Sequence, residues 1–173
     1  RYIPMAQTTF SGPVKSLAGF INAGVNTTVS LTADTSLTVA AHAGKILLCN
    51  DADGKFTLPS IVTTAPTDPT SPDQVNNVGA SFFFYIETAA TDLDILTDGT
   101  DKFVGAVMVA VDDGSKKAFI PAASNDVITL NGSTKGGLVG SVVQVTAIDS
   151  ATYLVHNTLL LGSGTIVTPF ADA

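Results

Sequence analysis

Along most of this chain apolar residues recur at every second position or in short blocks rich in Val, Ile, Thr and Phe. Asp-Gly, Asn-Gly or Gly-Gly interrupts them about every 8 to 15 residues. A β-strand sends successive side chains to opposite faces, so such a chain buries one face of each of many short strands. No segment offers an amphipathic helix. The pattern predicts strands over 27–31, 36–40, 45–50, 55–58, 81–88, 93–96, 102–111, 116–120, 127–130, 139–148, 152–156 and 164–168.

Turn chemistry and flanking strands together predict three hairpins. The first runs from Lys45 to Pro59 and turns at Asp51-Ala52-Asp53-Gly54; the second runs from Phe103 to Ile120 and turns at Asp112-Asp113-Gly114-Ser115. The third runs from Val142 to His156 around Asp149-Ser150. Strands this numerous must be stacked or closed to bury a face each, which predicts an all-β fold, an antiparallel β-sandwich or barrel. The 173 residues suffice for one domain with a real core. We expect it over 21–173, preceded by an extended N-terminal arm, residues 1–20. Between Thr63 and Val78, Pro66, Pro69 and Pro72 alternate with Thr, Ser and Asp, a composition that cannot pair as a central strand and predicts an exposed loop.

Charged residues make up 13% of the chain and hydrophobic ones 45%. That is about half the charged share of an ordinary soluble domain. A subunit that buries much of its outside against neighbours can replace charge with Thr, Ser, Ala and Val, so the composition predicts assembly. A membrane-spanning helix is not expected, because no apolar run approaches the roughly 20 residues it needs. Net charge is −7 and the eight Lys and Arg are scattered, so no basic face is expected to neutralise nucleic-acid phosphates. The start, Arg1-Tyr2-Ile3-Pro4, lacks the apolar stretch of a signal peptide. Met5-Ala6 reads as a translation start, with residues 1–4 from an upstream start or added.

Motifs that could carry chemistry are incomplete. Asp51-Ala52-Asp53-Gly54 has the alternating carboxylates of a calcium loop, but Gly is fourth where that loop wants it sixth, and the twelfth position is Val62. His42 and His156 lie far apart, and the lone Cys49 in Ile46-Leu47-Leu48-Cys49 reads as a buried small hydrophobe, so no metal or disulfide is expected. Gly-x-Ser-x-Gly is absent, Glu87 is the only glutamate and there is no Trp, which leaves nucleophilic catalysis and aromatic sugar stacking poorly supplied. Phosphate-cradling glycine patterns are also missing. The expectation is a non-enzymatic protein with no cofactor.

Three stretches carry a resemblance. They are Thr9-Phe10-Ser11-Gly12-Pro13-Val14-Lys15-Ser16, then Ala43-Gly44-Lys45-Ile46-Leu47-Leu48-Cys49-Asn50-Asp51 running on to Thr57-Leu58-Pro59, and the tail Gly162-Ser163-Gly164-Thr165-Ile166-Val167-Thr168-Pro169-Phe170. Together they resemble small virion structural proteins of marine and cyanobacterial tailed phages, over most of the chain. The resemblance implies a capsid decoration, or cement, protein: a β-rich subunit, often trimeric, on the outer surface of the phage head, bridging neighbouring major capsid protein subunits. It implies no active site. The arm and tail become the expected contacts, namely Thr9, Phe10, Pro13, Val14 and Phe20, with Thr168, Pro169 and Phe170. In this picture the arm from Thr8 to Phe20 pairs with a neighbour's sheet edge. The Pro-rich segment is not part of the pattern. A tail-fibre or host-adhesion β module, and a small secreted carbohydrate-binding or glycosidase β-sandwich, remain as alternatives.

Overall fold

A computed structural model describes residues 27–64 and 76–173 of the chain. The chain starts by crossing between two sheets. β1 (Thr28–Leu31) lies in the first sheet and β2 (Thr35–Ser36) in the second, and β3 (Ile46–Cys49) returns to the first. β4 (Lys55–Thr57) lies again in the second, β5 (Ser81–Ile86) in the first and β6 (Leu93–Leu96) in the second. Because each strand returns in the same direction after a detour through the opposite sheet, β1, β3 and β5 pair in parallel, as do β2, β4 and β6. The antiparallel expectation is therefore corrected: both sheets are mixed. A parallel pair needs a crossover connection, and here the crossover is a strand of the other sheet.

This winding also corrects the first expected hairpin. Both sides of β3 are already occupied: Leu31 C=O accepts from Asn50 N at 2.8 Å, and Cys49 C=O accepts from Glu87 N at 3.1 Å and Thr88 N at 3.0 Å. No edge is left for β4, so the Asp51–Gly54 turn becomes an arch to the second sheet, where Asp34 Oδ1 accepts from Lys55 N at 2.8 Å. Gly54 serves this arch by being small, since a Cβ there would lie 2.8 Å from the Phe56 ring and 2.9 Å from Asp51 Cβ.

The remaining strands are β7 (Lys102–Gly105), β8 (Val107–Val111), β9 (Lys116–Phe119), β10 (Val127–Leu130), β11 (Val142–Ala147), β12 (Thr152–Gly162) and β13 (Phe170–Ala171). The other two hairpins form as expected. β8 and β9 are antiparallel around a turn in which Gly114 takes φ 85°, and β11 and β12 are antiparallel with Asp149 Oδ1 accepting from Ala151 N at 2.8 Å. The eight-stranded first sheet runs β1-β3-β5-β11-β12-β8-β9, with β7 also paired to β12; the five-stranded second sheet runs β13-β10-β6-β4-β2. Neither sheet closes, so the barrel alternative is corrected as well.

Several strand boundaries differ for local reasons. Residues 39–42 form a one-turn helix, α1 (Val39–His42), where a strand over 36–40 is expected. Thr38 accepts from Ala41 N through its hydroxyl and donates its own N–H to His42 Nδ1 at 2.9 Å, so two hydrogen bonds at the N-cap outweigh strand propensity. The expected strand 102–111 is interrupted at Ala106, opposite a bulge in β12, which is longer than expected and where Asn157 adopts φ 46°. There Thr158 substitutes for the ladder, its hydroxyl accepting from Met108 N and donating to Ala106 C=O, both at 3.2 Å. Residues 164–168 form no strand; pairing begins at Phe170.

Both sheets contribute to one core. Phe82, Phe84, Val143, Val145 and Tyr153 from the first sheet and Phe56, Leu93, Ile95, Ile128 and Leu130 from the second are fully buried. The Phe56 and Phe84 rings stack between the sheets with centroids 6.4 Å apart. Cys49 belongs to this core, fully buried, as its sequence context predicts.

Candidate interaction surface

With one face of the first sheet given to the core, its outer face can be read row by row from strand register. One row joins Ser30, Leu48, Tyr85, Val142, Leu159, Met108 and Ala118 across seven strands. The next joins Thr28, Ile46, Phe83, Gln144 and His156, and a third joins Ser81, Thr146, Leu154 and Val104. Met108, Ile46, Leu159 and Val104 are each about two-fifths exposed. β1, β3, β5, β8, β11 and β12 contain no Asp, Glu, Lys or Arg. Among the sheet's strands, charges occur only at Lys102, Lys116 and Lys117, on its periphery. With a strand spacing of about 4.8 Å and a row spacing of about 6.7 Å, the three rows, seven, five and four strands wide, cover about 500 Å².

Five polar side chains at the middle of this face bond to one another within the chain. Gln144 donates to Ser81 Oγ and accepts from Asn157 Nδ2, both at 2.7 Å. Thr146 Oγ1 lies 3.1 Å from Ser81 Oγ and 2.8 Å from His156 Nε2. Groups whose hydrogen bonds are already made in this way can be covered by another protein without being orphaned. The outer face of the second sheet differs, with Lys55 beside Asp94 in register and Asp34 nearby.

A second built region lies at the two feet of the Pro-rich segment; residues 65–75 are outside the described part. Pro59 C=O accepts from Tyr153 Oη at 2.6 Å, and Ser60 Oγ donates to Asp98 Oδ2 at 2.6 Å. Asp101 accepts from Ile61 N, and Asn77 accepts from Val62 N while donating to Ser60 C=O. Burial pushes the Asp101 carboxyl above its ordinary range. Burial acts in the same direction on Asp98, but hydrogen bonds from Ser60, Thr100 and Asp101 outweigh it and hold that carboxyl well below its ordinary value. The arrangement fixes the base of the segment.

The residues expected at contacts divide into two groups. Thr9, Phe10, Pro13, Val14 and Phe20 lie outside the described residues. Of the tail, Thr168 is exposed, its hydroxyl accepting from Phe170 N at 3.2 Å. Pro169 is buried and its C=O accepts from Thr129 N at 2.8 Å. Phe170 is 6% exposed and pairs with Ile128, so its ring completes the chain's own core and is not available to a partner. The sequence reading missed the outer-face residues Leu48, Phe83, Tyr85, Val142 and Leu159. Their signal was the run Ser81-Phe82-Phe83-Phe84-Tyr85-Ile86, apolar on both faces, as in strands covered on two sides.

Groups with chemical potential are dispersed. Cys49 is buried with its thiol pushed up to about 12 by desolvation, and Ser163 Oγ donates to Ser133 Oγ. Asp51 is raised above its ordinary value chiefly by its hydrogen bond with Asp53. Among the described residues no group of three or more His, Cys, Asp or Glu is placed to hold a metal ion, and no helix is long and apolar enough to cross a membrane. No protein-family model, curated protein or solved structure matches the chain.

Proposed function

We propose that this chain is a capsid decoration protein that binds the outer surface of a tailed-phage head and stabilises it by bridging major capsid protein subunits. The observation that carries the reading is the outer face of the eight-stranded sheet: broad, largely apolar and without Asp, Glu, Lys or Arg across six strands. The resemblance of the terminal and turn sequences supplies the kind of assembly. In this reading the two sheets form a β-sandwich, the arm 1–20 and the exposed Pro-rich loop 63–78 project from it, and the protein is non-enzymatic. It acts as a homo-oligomer, a trimer being the form the resemblance implies, without nucleic acid, membrane or cofactor.

Magnitudes bear on how it binds. About 500 Å² at about 25 cal/mol per Å² yields at most about 12 kcal/mol. Immobilising a subunit costs about 4 to 15 kcal/mol. One face alone is therefore marginal, and a second contact, supplied by the arm or by another copy, adds avidity.

The test is quantitative protein composition of purified virions with cosedimentation of the isolated protein on stripped heads. Hundreds of copies per particle and saturable binding are expected; absence from heads overturns the proposal. A second reading, a tail-fibre or host-adhesion module, draws on the parallel winding of β1 to β6, because stacked parallel coils suit elongated assemblies. Tens of copies per particle, located on the tail, would favour it.

A further inference from the structure

We propose that Asp101 is a proton-operated latch on the foot of the Pro-rich segment, holding residues 59–62 against the sandwich when its carboxyl is protonated and loosening them when it is ionised. This device is independent of what the protein binds.

The foot is held chiefly by polar tethers. Three successive residues are each tied to a different side chain: Pro59 C=O accepts from Tyr153 Oη, Ser60 Oγ donates to Asp98 Oδ2, and Ile61 N donates to Asp101 Oδ2 at 3.0 Å. Asn77 ties the returning chain to the same place, its N–H donating to Val62 C=O at 3.0 Å and its side chain accepting from Val62 N at 2.7 Å. Packing contributes less. Ile61 packs against the core, but Ser60 and Val62 are exposed, and a cavity of about 350 Å³ lies between this foot and Leu37, Val39 and Ala40.

Asp101 is the tether whose charge is poorly matched. It is 4% exposed, and most of the charge around it has its own sign. Asp98 lies in the same loop, its Oδ1 accepting from Asp101 N at 3.1 Å, and Asp149 acts on it from the β11–β12 turn. Among the described residues the one cation beside it is Lys102, whose ammonium is committed to Asp126 Oδ2 at 2.7 Å and Gly99 C=O at 2.9 Å. Tyr153 adds a neutral phenol, its ionisation suppressed by burial and by the two carboxylates. A buried carboxylate among like charges is costly to keep ionised. The Ile61 N–H favours the anion, but burial outweighs it and holds the carboxyl above its ordinary range. Asp98 is held well below that range by its donors, so Asp101 is the member that takes up the proton. Once protonated, it still offers its carbonyl oxygen to Ile61 N, and the tether survives.

The sign follows from linkage. When the foot opens, Asp101 meets water and returns to an ordinary value of about 3.9. The held foot therefore binds the proton more tightly than the open one, by about tenfold for each unit separating the two values. This stabilisation is fully present below the ordinary value and is lost as pH rises through the raised one. Asp98 and Asp126 act oppositely, losing their contribution to the fold in acid.

The experiment is hydrogen exchange of the full chain between about pH 7 and about pH 4, corrected for the intrinsic pH dependence of amide exchange. It is read at Ile61 and Val62 in the foot and at Phe84 in the core, for wild type, Asp101→Asn and Asp101→Ala. Asparagine keeps an acceptor for Ile61 N and removes the charge; alanine removes both. Wild-type protection of the foot relative to the core is expected to rise at least about threefold towards acid. Asp101→Asn should be as protected at neutral pH as wild type is in acid, without pH dependence, and Asp101→Ala should be weakly protected throughout. A wild-type foot whose protection is flat or falls in parallel with the core overturns the inference, as does an Asp101→Asn foot looser than wild type at neutral pH. Should Asp101→Asn fail to fold, the wild-type profile decides alone.

Discussion

Phe83 and Phe84 are adjacent in β5, and the fold predicts opposite consequences for removing them. Phe84 is fully buried, lies between Leu47 and Val143 in register and stacks on Phe56 from the other sheet. Truncating it to Ala forfeits the transfer energy of the ring and leaves a cavity that flanking strands cannot close, a loss of about 3 to 5 kcal/mol. Against a total stability of about 5 to 15 kcal/mol this is a large fraction, and at about 2 to 4 °C per kcal/mol it lowers the melting temperature by about 6 to 20 °C. Phe83 is half-buried on the outer face between Ile46 and Gln144. Phe83→Ala encloses no cavity and is expected to cost the isolated subunit about 1 kcal/mol, while weakening its association. Thermal and urea unfolding of dilute subunits, followed by circular dichroism, measures the first quantity; size-exclusion mass at high concentration measures the second. Equal stability losses, or a larger loss for Phe83→Ala, would show that the two faces of β5 are wrongly assigned.

Three further outcomes are expected. Gly105 has φ 102° and a Cβ there would collide with the Val155 carbonyl oxygen, so Gly105→Ala should cost about 3 kcal/mol. Gly44, at φ 71° in open space, should cost only about 1 kcal/mol as Ala, and equal shifts in urea midpoint would count against this. Burial alone would raise Asp126, but the Lys102 ammonium at 2.7 Å and the Ala173 N–H hold it below its ordinary value. A carboxyl with a depressed folded pKa stabilises above its unfolded pKa of about 3.9 and loses that contribution as pH falls through the folded value. Asp126→Asn should therefore flatten the acid limb of stability below about pH 5, and an unchanged limb would refute the ion pair's role. Cys49, buried with its thiol pushed up to about 12, should react with a thiol reagent only at the rate of global unfolding; fast labelling of native protein would contradict its placement.

Residue alternation by itself determined that the chain is built from short strands, and most of them lie where period-two patterning puts them, because which side of a strand is apolar is a local property. It also identified the turns at Gly114 and Asp149, where the residues that shape the bend and the strands that pair across it are neighbours in sequence. It could not say that the turn ending at Gly54 joins different sheets: a hairpin and an arch use the same residues, and the choice was made by β1 and β5 occupying both edges of β3. Parallel pairing sets Thr28 beside Ile46 and Ile46 beside Phe83, partners that no local pattern specifies. The scarcity of charge was legible from composition, but its concentration into one uncharged sheet face was not, because a row such as Ser30, Leu48, Tyr85, Val142, Leu159 and Met108 exists only once strands from across the chain are laid side by side. Phe170 makes the same point in reverse: its apolar character was visible, and only the β10–β13 pairing decided that the chain buries it itself.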